Sequence, residues 1–413
     1  MRNKSLKCLA CVLIAAAFVV PAGVFGSPPK HTSEKQWTIM IFWCADNNLE
    51  WTTEFCMNLW QEALTSNDQV NILVLLDIES VDGTWIYELT NTERIEVAAW
   101  PEKNTSDPAV LEEFVLYCMD NYPAQKNMLL ISDHGYGWRG ICEDETNGDV
   151  LMTPDGIGNA LRDVKAGNGK GVDLLVFDAC NMASLEVAYE LRGAVPIMVA
   201  TETMEPYDGP PYKMFITDMV DMPSISPHDL AVNIVREYVM YYGSKTDYPH
   251  QMRYSQDFAT IAAIDLDKIE AVGEAFNDLA VVLKPLIPDH MKQVDDARGY
   301  ALIGTWTNMA GYEWMPDVYT FVEGLRAIED HPELTSAIDA FELAFDEAII
   351  AEAHSKKYHD SVHGLNFWFP PSLSQYNMMG YMWARQFIYE GSGLDLVDGE
   401  SPWVQCLMTY YSC

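Results

Sequence analysis

Five short apolar runs, each separated from the next by an amphipathic stretch, constrain this chain more than any other feature. They are WTIMIFWCA (37 to 45), VNILVLLDI (70 to 78), NMLLISDHG (127 to 135), VDLLVFDA (172 to 179) and VPIMVATE (195 to 202). A strand with one wet face alternates apolar and polar residues. These runs are nearly continuous, so both of their faces must be covered, which is the condition of a mostly parallel sheet with helices above and below. Helical patterns fill the gaps at 47 to 64, 107 to 122, 153 to 166 and 184 to 193, with Asp107 and Pro108 in the N-cap and first-turn positions and Gly193 as a stop. TWIYELT and RIEVAAW predict a hairpin excursion. Beyond about residue 225 the pattern is more helical, through 227 to 243, 265 to 283 and 333 to 353, broken by DFATIAAID and by the late alternating VHGLNFWFPP. The expected class is therefore α/β, with a helical C-terminal elaboration.

Residues 1 to 26 are set aside from the fold. Arg2, Lys4 and Lys7 precede an apolar stretch from Leu9 to Val20, then Pro21 and the small-residue pattern ending at Gly26. This is the three-part pattern of a secretory signal peptide, and its apolar run is shorter than the ~20 residues a membrane-spanning helix needs. The expected product is exported, secreted or periplasmic, without stable membrane insertion. The formal net charge of the full chain, -36, excludes nucleic acid and anionic membrane as partners held by the general field, and favours cationic ligands. Seven cysteines follow the leader: Cys44, Cys56, Cys118, Cys142, Cys180, Cys406 and Cys413. An odd number permits up to three disulfides and one thiol kept for another purpose, and Cys406 with Cys413 is an expected pair.

In sheets of this kind ligands bind beyond the carboxyl ends of the strands. That rule selects Asp133 and His134 after the third run, Asp178 and Cys180 after the fourth, and Thr201 and Glu202 after the fifth. A thiol nucleophile needs a base or cation beside it, because a free thiol titrates near ~8.5. His134 is the partner at the neighbouring strand end, and a helix opening near Ala183 is expected to add partial positive charge. Gly135 and Gly137 flank the histidine and allow a substrate close, with the Gly135 N–H placed to steady an oxyanion. Histidine precedes cysteine by 46 residues, near the roughly fifty of the caspases.

SDHGYGW, FDACNMASLEVAYEL and VATETMEPYDGPPY together resemble the clostripain-like peptidases, the C11 family of caspase-related cysteine peptidases. ADNNLE and GLNFWFPP extend the resemblance from about Trp37 to Pro371. It implies a caspase-like three-layer αβα sandwich, with a catalytic core at 27 to 222 and a C-terminal part at 223 to 413 that completes the sheet. It also implies a His134-Cys180 dyad cleaving protein or peptide substrates after Arg or Lys, with Asp178 and Asp208 in the S1 pocket. A carboxylate that can grip a guanidinium with two hydrogen bonds suits that role. Asn181 stands where family members often carry Leu, and EPYDGPPY replaces a loop richer in Gly and Trp. Relatives often mature by self-cleavage after a basic residue between the two catalytic positions. CEDETNGD holds no Lys or Arg, so Lys165 or Lys170 is the expected site.

No cofactor is required by this chemistry and no metal ligand set is assigned. The zinc-like spacing HDSVH (359 to 363) needs a helix, whereas Gly364 and LNFWFP put His363 at a strand start. EDETNGD (143 to 149) is not an EF-hand, because Glu143 takes the first position and Pro154 the last. Calcium stays open, since calcium dependence occurs in the family and loop carboxylates are plentiful. Transpeptidation by the same dyad and a non-catalytic exported binding protein are the alternative functions. No GxSxG or GxxxxGK occurs, so serine hydrolase and P-loop readings have no foothold. The oligomeric state is not legible.

Overall fold

A computed structural model describes residues 33–148, 150–244, 259–301, 314–355, 361–378 and 394–413. The leader lies outside the described residues, as do His359 and Asp360 of the zinc-like spacing.

The strands are β1 (Lys35–Ala45), β2 (Val70–Ile78), β3 (Thr84–Leu89), β4 (Arg94–Trp100), β5 (Ala124–Ser132), β6 (Ile141–Asp144), β7 (Val150–Met152), β8 (Leu174–Asp178), β9 (Ile197–Ala200), β10 (Thr260–Asp265) and β11 (Ile349–His354). Nine of them form one sheet in the order β11-β10-β9-β8-β5-β1-β2-β3-β4. The central strands β9, β8, β5, β1 and β2 run parallel. Antiparallel strands close both flanks, β3 and β4 on one side and β10 and β11 on the other. β6 and β7 form a separate small hairpin.

Helices cover both faces, and β1 shows why its sequence is continuously apolar. Met40, Phe42 and Cys44 enter a core shared with α2 (Pro108–Asn121), α3 (Pro154–Asn168) and α4 (Leu185–Glu190), and with the C-terminal helices α7 (Ile269–Leu283), α10 (Pro332–Ala348) and α12 (Pro402–Ser412). Ile39, Ile41 and Trp43 enter the opposite core, against α1 (Thr53–Ala63), α5 (Tyr212–Asp221) and α6 (Pro227–Ser244). Each fully buried side chain of this size contributes about 1.5 to 3 kcal/mol, so neither face tolerates a polar alternation. α2 starts as its sequence requires, with the Asp107 carboxylate accepting from the Ala109 N–H at 2.9 Å and Pro108 in the first turn.

Four local expectations need correction. The helix read from residue 47 begins at Thr53, after a loop and a short 3-10 turn at Glu50–Thr52. The helix read to 353 ends at Ala348, and IIAEAH is the edge strand β11. VHGLNFWFPP forms no ladder strand; Asn366 makes isolated bridges to Ser184 and Asp317. Cys406 and Cys413 stand seven positions apart at the end of one helix. At 1.5 Å rise per residue their backbones are about 10 Å apart, beyond disulfide reach. The cysteines that do meet are Cys44 and Cys142, both buried, with sulfurs 2.8 Å apart.

Candidate active site

Strand register brings the two chemically distinctive residues together. β5 and β8 are parallel neighbours with Ser132 opposite Asp178, so two residues further along each chain His134 comes level with Cys180. The backbones stay in contact past the sheet edge. The Asp133 N–H donates to the Asp178 carbonyl at 3.3 Å, and a Cβ added to Gly135 would lie 2.3 Å from the Cys180 carbonyl oxygen. Only glycine permits this approach. Asn181 follows the cysteine with φ of 59°, a left-handed conformation that asparagine adopts more readily than leucine.

The histidine is held from a third strand end. Asn48, in the loop after β1, places its Oδ1 2.8 Å from His134 Nε2. An amide oxygen only accepts, so Nε2 carries the proton and Nδ1 keeps its lone pair. Neighbouring Asn47 fixes the loop through its Nδ2, which donates to Asp133 Oδ1 and to the Glu143 carbonyl, each at 2.8 Å. Burial holds the His134 imidazole below its ordinary pKa, partly opposed by Glu143. Burial also pushes the Cys180 thiol up to about 12, with Glu205 and Asp178 raising it and the Glu205 N–H opposing them. That N–H donates to Cys180 Sγ at 3.2 Å. At rest the pair is a neutral thiol and a neutral imidazole. α4 gives less help than its sequence suggests: it begins at Leu185, five residues after Cys180, and is 6 residues long, and a helix-end field fades within a turn.

A second acidic layer lies under the cysteine. Asp178 is buried, and its Oδ2 accepts from Ser132 Oγ at 2.8 Å and from the Tyr212 hydroxyl. Burial raises it to about 6, with the Tyr212 and Ser132 hydrogen bonds opposing. Gly209 has φ of +65°, and a Cβ there would lie 2.8 and 2.9 Å from the two Asp178 oxygens. The loop carrying Asp208 therefore closes directly over Asp178. Asp208 Oδ2 accepts from the Tyr241 hydroxyl at 3.1 Å. Glu205, in the same loop, accepts from the Tyr238 hydroxyl at 3.0 Å, and burial pushes its carboxyl well above the usual range. Trp51 and Tyr207, 58% and 45% exposed, meet edge to face on the rim with ring centres 5.4 Å apart.

Other residues selected from the sequence do different work. Glu202 is buried away from the thiol, accepting from the Gly364 N–H at 2.6 Å. His363 stacks on Tyr319 and pairs with Asp317 at 3.2 Å. Lys165 sits in the last turn of α3, its carbonyl accepting from the Gly169 N–H at 3.0 Å. A helical bond cannot lie extended in a cleft, which leaves Lys170, paired with Glu34 at 3.2 Å, as the residue of the two outside a helix. Sequence reading gave no role to Asn48, although it lies in ADNNLE just past a strand end, and none to Ser132, Glu205 or Tyr212.

A thiol and an imidazole at adjacent parallel strand ends of a helix-covered sheet define a caspase-like cysteine peptidase. The sequence pattern of the clostripain family matches residues 41–366, and the chain belongs to that family; it is a clostripain-like cysteine peptidase. It is 24% identical over 405 residues to clostripain of Hathewaya histolytica, covering 82% of this chain and 76% of that one. Two crystal structures share its fold. One is a secreted C11 cysteine protease from Bacteroides thetaiotaomicron in complex with an irreversible peptide inhibitor, with a TM-score of 0.64 and 19% identity over 87% of this chain and 100% of that one. The other is an inactive zymogen C11 protease from Parabacteroides distasonis, with a TM-score of 0.60 and 19% identity over 82% of this chain and 93% of that one. No helix among the described residues is long and apolar enough to cross a membrane.

Proposed function

We propose that this chain is an exported endopeptidase that hydrolyses peptide bonds after Arg or Lys, with Cys180 as nucleophile and His134 as general acid and base. The observation that supports the reading is the contact between the chain segments carrying His134 and Cys180, with Ser132 opposite Asp178, the Asp133 N–H on the Asp178 carbonyl and Gly135 against the Cys180 backbone, and with a buried carboxylate, Asp178, two positions before the cysteine. Cys180 Sγ attacks the substrate carbonyl carbon while its proton passes to His134 Nδ1. The Gly135 N–H steadies the oxyanion. The C–N bond then breaks, His134 returns the proton to the leaving amine, and a water deprotonated by His134 hydrolyses the thioester. Asp178, with Asp208 above it, selects the cationic side chain, and the Trp51-Tyr207 rim offers an apolar surface to a neighbouring residue. The leader pattern and the secreted Bacteroides relative support export.

The test is hydrolysis of fluorogenic peptides differing only at P1, with Arg, Lys and Leu, under reducing conditions. Turnover of the first two with little of the third is expected, and no turnover of any overturns the reading. An acyl product captured by an added amine in preference to water would instead favour transpeptidation.

Asn48 acts here as a positioning residue, because it touches the imidazole and not the substrate. Asn48→Ala is expected to lower kcat/KM by about ten- to a hundredfold, the size of one lost orienting hydrogen bond. Asn48→Asp puts a carboxylate beside the ring, which favours the imidazolium. Its acid limb in the pH profile of kcat/KM therefore moves to higher pH. An unmoved limb would show that Asn48 only supports the loop.

A further inference from the structure

Two of the seven cysteines that follow the leader meet inside the core. The Cys44 thiol donates to Cys142 Sγ at 2.8 Å across 98 positions of sequence, and the two residues are 2% and 0% exposed. Closing that gap to the ~2.05 Å of a sulfur–sulfur bond needs less than ~1 Å of movement. The backbone at Cys142 is unusual as well. Its φ is 62°, a conformation that a residue with a Cβ seldom adopts. It lies in the irregular step of the small hairpin, where Ile141 faces Met152, Asp144 faces Val150 and the register shifts between them. A bulge of this kind re-aims a side chain, and the Cys142 side chain reaches Cys44 on β1. Two buried thiols that merely fill space need no such backbone, since a small apolar residue fills either place.

We propose that Cys44 and Cys142 form a disulfide in the exported chain. The oxidant is a second disulfide, of a small thiol or of a disulfide oxidase in the compartment where the chain folds. The thiolate of one cysteine attacks a sulfur of that donor and releases its first thiol; the other cysteine attacks the mixed disulfide and displaces the second. The chain gives up two protons and two electrons, and the donor leaves as two thiols. Burial pushes both Cys44 and Cys142 above the ordinary thiol range, so the folded pair offers little thiolate. Exchange therefore precedes closure of this core, and the finished bond is shielded from a reductant in solution.

The bond staples the two segments that frame His134. Cys44 shortly precedes Asn47 and Asn48, the residues that fix Asp133 and His134. Cys142 precedes Glu143, whose N–H donates to Asp133 and whose carbonyl accepts from Asn47. The covalent tie holds the hairpin against β1 where these hydrogen bonds alone hold it in the reduced chain. One molecule thus needs two opposite states of sulfur, a disulfide at Cys44 and Cys142 and a free thiol at the partly exposed Cys180. A mild reductant reaches the second and spares the first. The inference rests on the exported location proposed above and not on the activity.

The experiment uses the exported chain carrying Cys180→Ala, which prevents self-digestion, refolded from the reduced, denatured state in a mixture of reduced and oxidised glutathione. Free thiols are blocked with N-ethylmaleimide and the chain is digested without reduction. Mass spectrometry is expected to show the Cys44 peptide joined to the Cys142 peptide, two hydrogens lighter than their sum, and the two apart after reduction in denaturant. The oxidised chain is expected to melt about 5 °C or more above the same chain refolded in reductant, with slower hydrogen exchange at the amides of Ile141 to Asp144. Cys44→Ala with Cys142→Ala is expected to remove both differences, and Cys44→Ala alone serves should the double variant not fold. Full blocking of both cysteines after the glutathione refolding would overturn the bond, and linkage of either to another cysteine would overturn the pairing. Equal Tm and equal exchange in the two redox states would overturn the staple. A chain that carries the bond but, with Cys180 restored, cleaves no P1-Arg peptide keeps the staple and overturns only the proposed activity.

Discussion

Cys180→Ala is expected to lower the hydrolysis of a P1-Arg peptide by at least about 10⁴-fold, to the limit of detection. On the proposed mechanism the sulfur takes the acyl group, and alanine offers nothing in its place. Burial holds the thiol up at about 12, so at neutral pH it is not a thiolate waiting for substrate. Attack therefore requires His134 to remove the proton as the bond forms, which gives His134→Ala a loss of similar size. The double variant is expected to be no slower than either single one, because the two residues act as a unit. Loss of Tm should be small, since Cys180 is only partly buried and alanine fits the space it leaves. Initial rates with a tight-binding P1-Arg peptide, compared at equal folded fraction by circular dichroism, make the measurement. A retained rate in Cys180→Ala would show that another group is the nucleophile.

These residues were legible because a physical rule pointed at them. Continuous apolar runs announced a parallel sheet, β2 has the bounds its sequence predicts, and the strand-end rule reached His134 and Cys180 across one crossover. The rule failed where local pattern imitates something else. Residues 46 to 52 continue a helical spacing of apolar and acidic side chains, so the helix was begun too early and the loop holding Asn48 disappeared into it. Helix α10 runs into β11 without Gly or Pro between them, and periodicity alone does not separate a short β-branched end from the helix it follows. Ser132, Glu205 and Tyr212 depend on register and on contacts such as that between Asp178 and Tyr212, 34 positions apart.

Asp178→Asn is expected to separate recognition from chemistry. The carboxylate is buried beneath Gly209 and keeps company with Ser132 and Tyr212. Burial pushes the neighbouring Glu205 carboxyl well above the usual carboxylate range. On the proposed reading Asp178 supplies the buried negative charge of the pocket, and a guanidinium or ammonium that enters would pair with it in a medium where such a pair is strong. Removing one partner of a buried, hydrogen-bonded charge pair costs about 2 to 5 kcal/mol. The expected loss in kcat/KM for P1-Arg and P1-Lys peptides is therefore about thirty- to several thousandfold, while the slow P1-Leu rate changes by no more than about threefold. Asparagine keeps an oxygen for Ser132 or Tyr212, so the fold should survive. The pH profile gives a second reading. Asp178 is charged above about 6 and neutral below it, so activity on P1-Arg is lost as pH falls through about 6. With P1-Leu, and in Asp178→Asn, only His134 remains on the acid side, and its limb lies below the ordinary histidine range because burial lowers it. Equal losses on P1-Arg and P1-Leu, with unmoved limbs, would mean that Asp178 supports the strand end and reads no substrate charge.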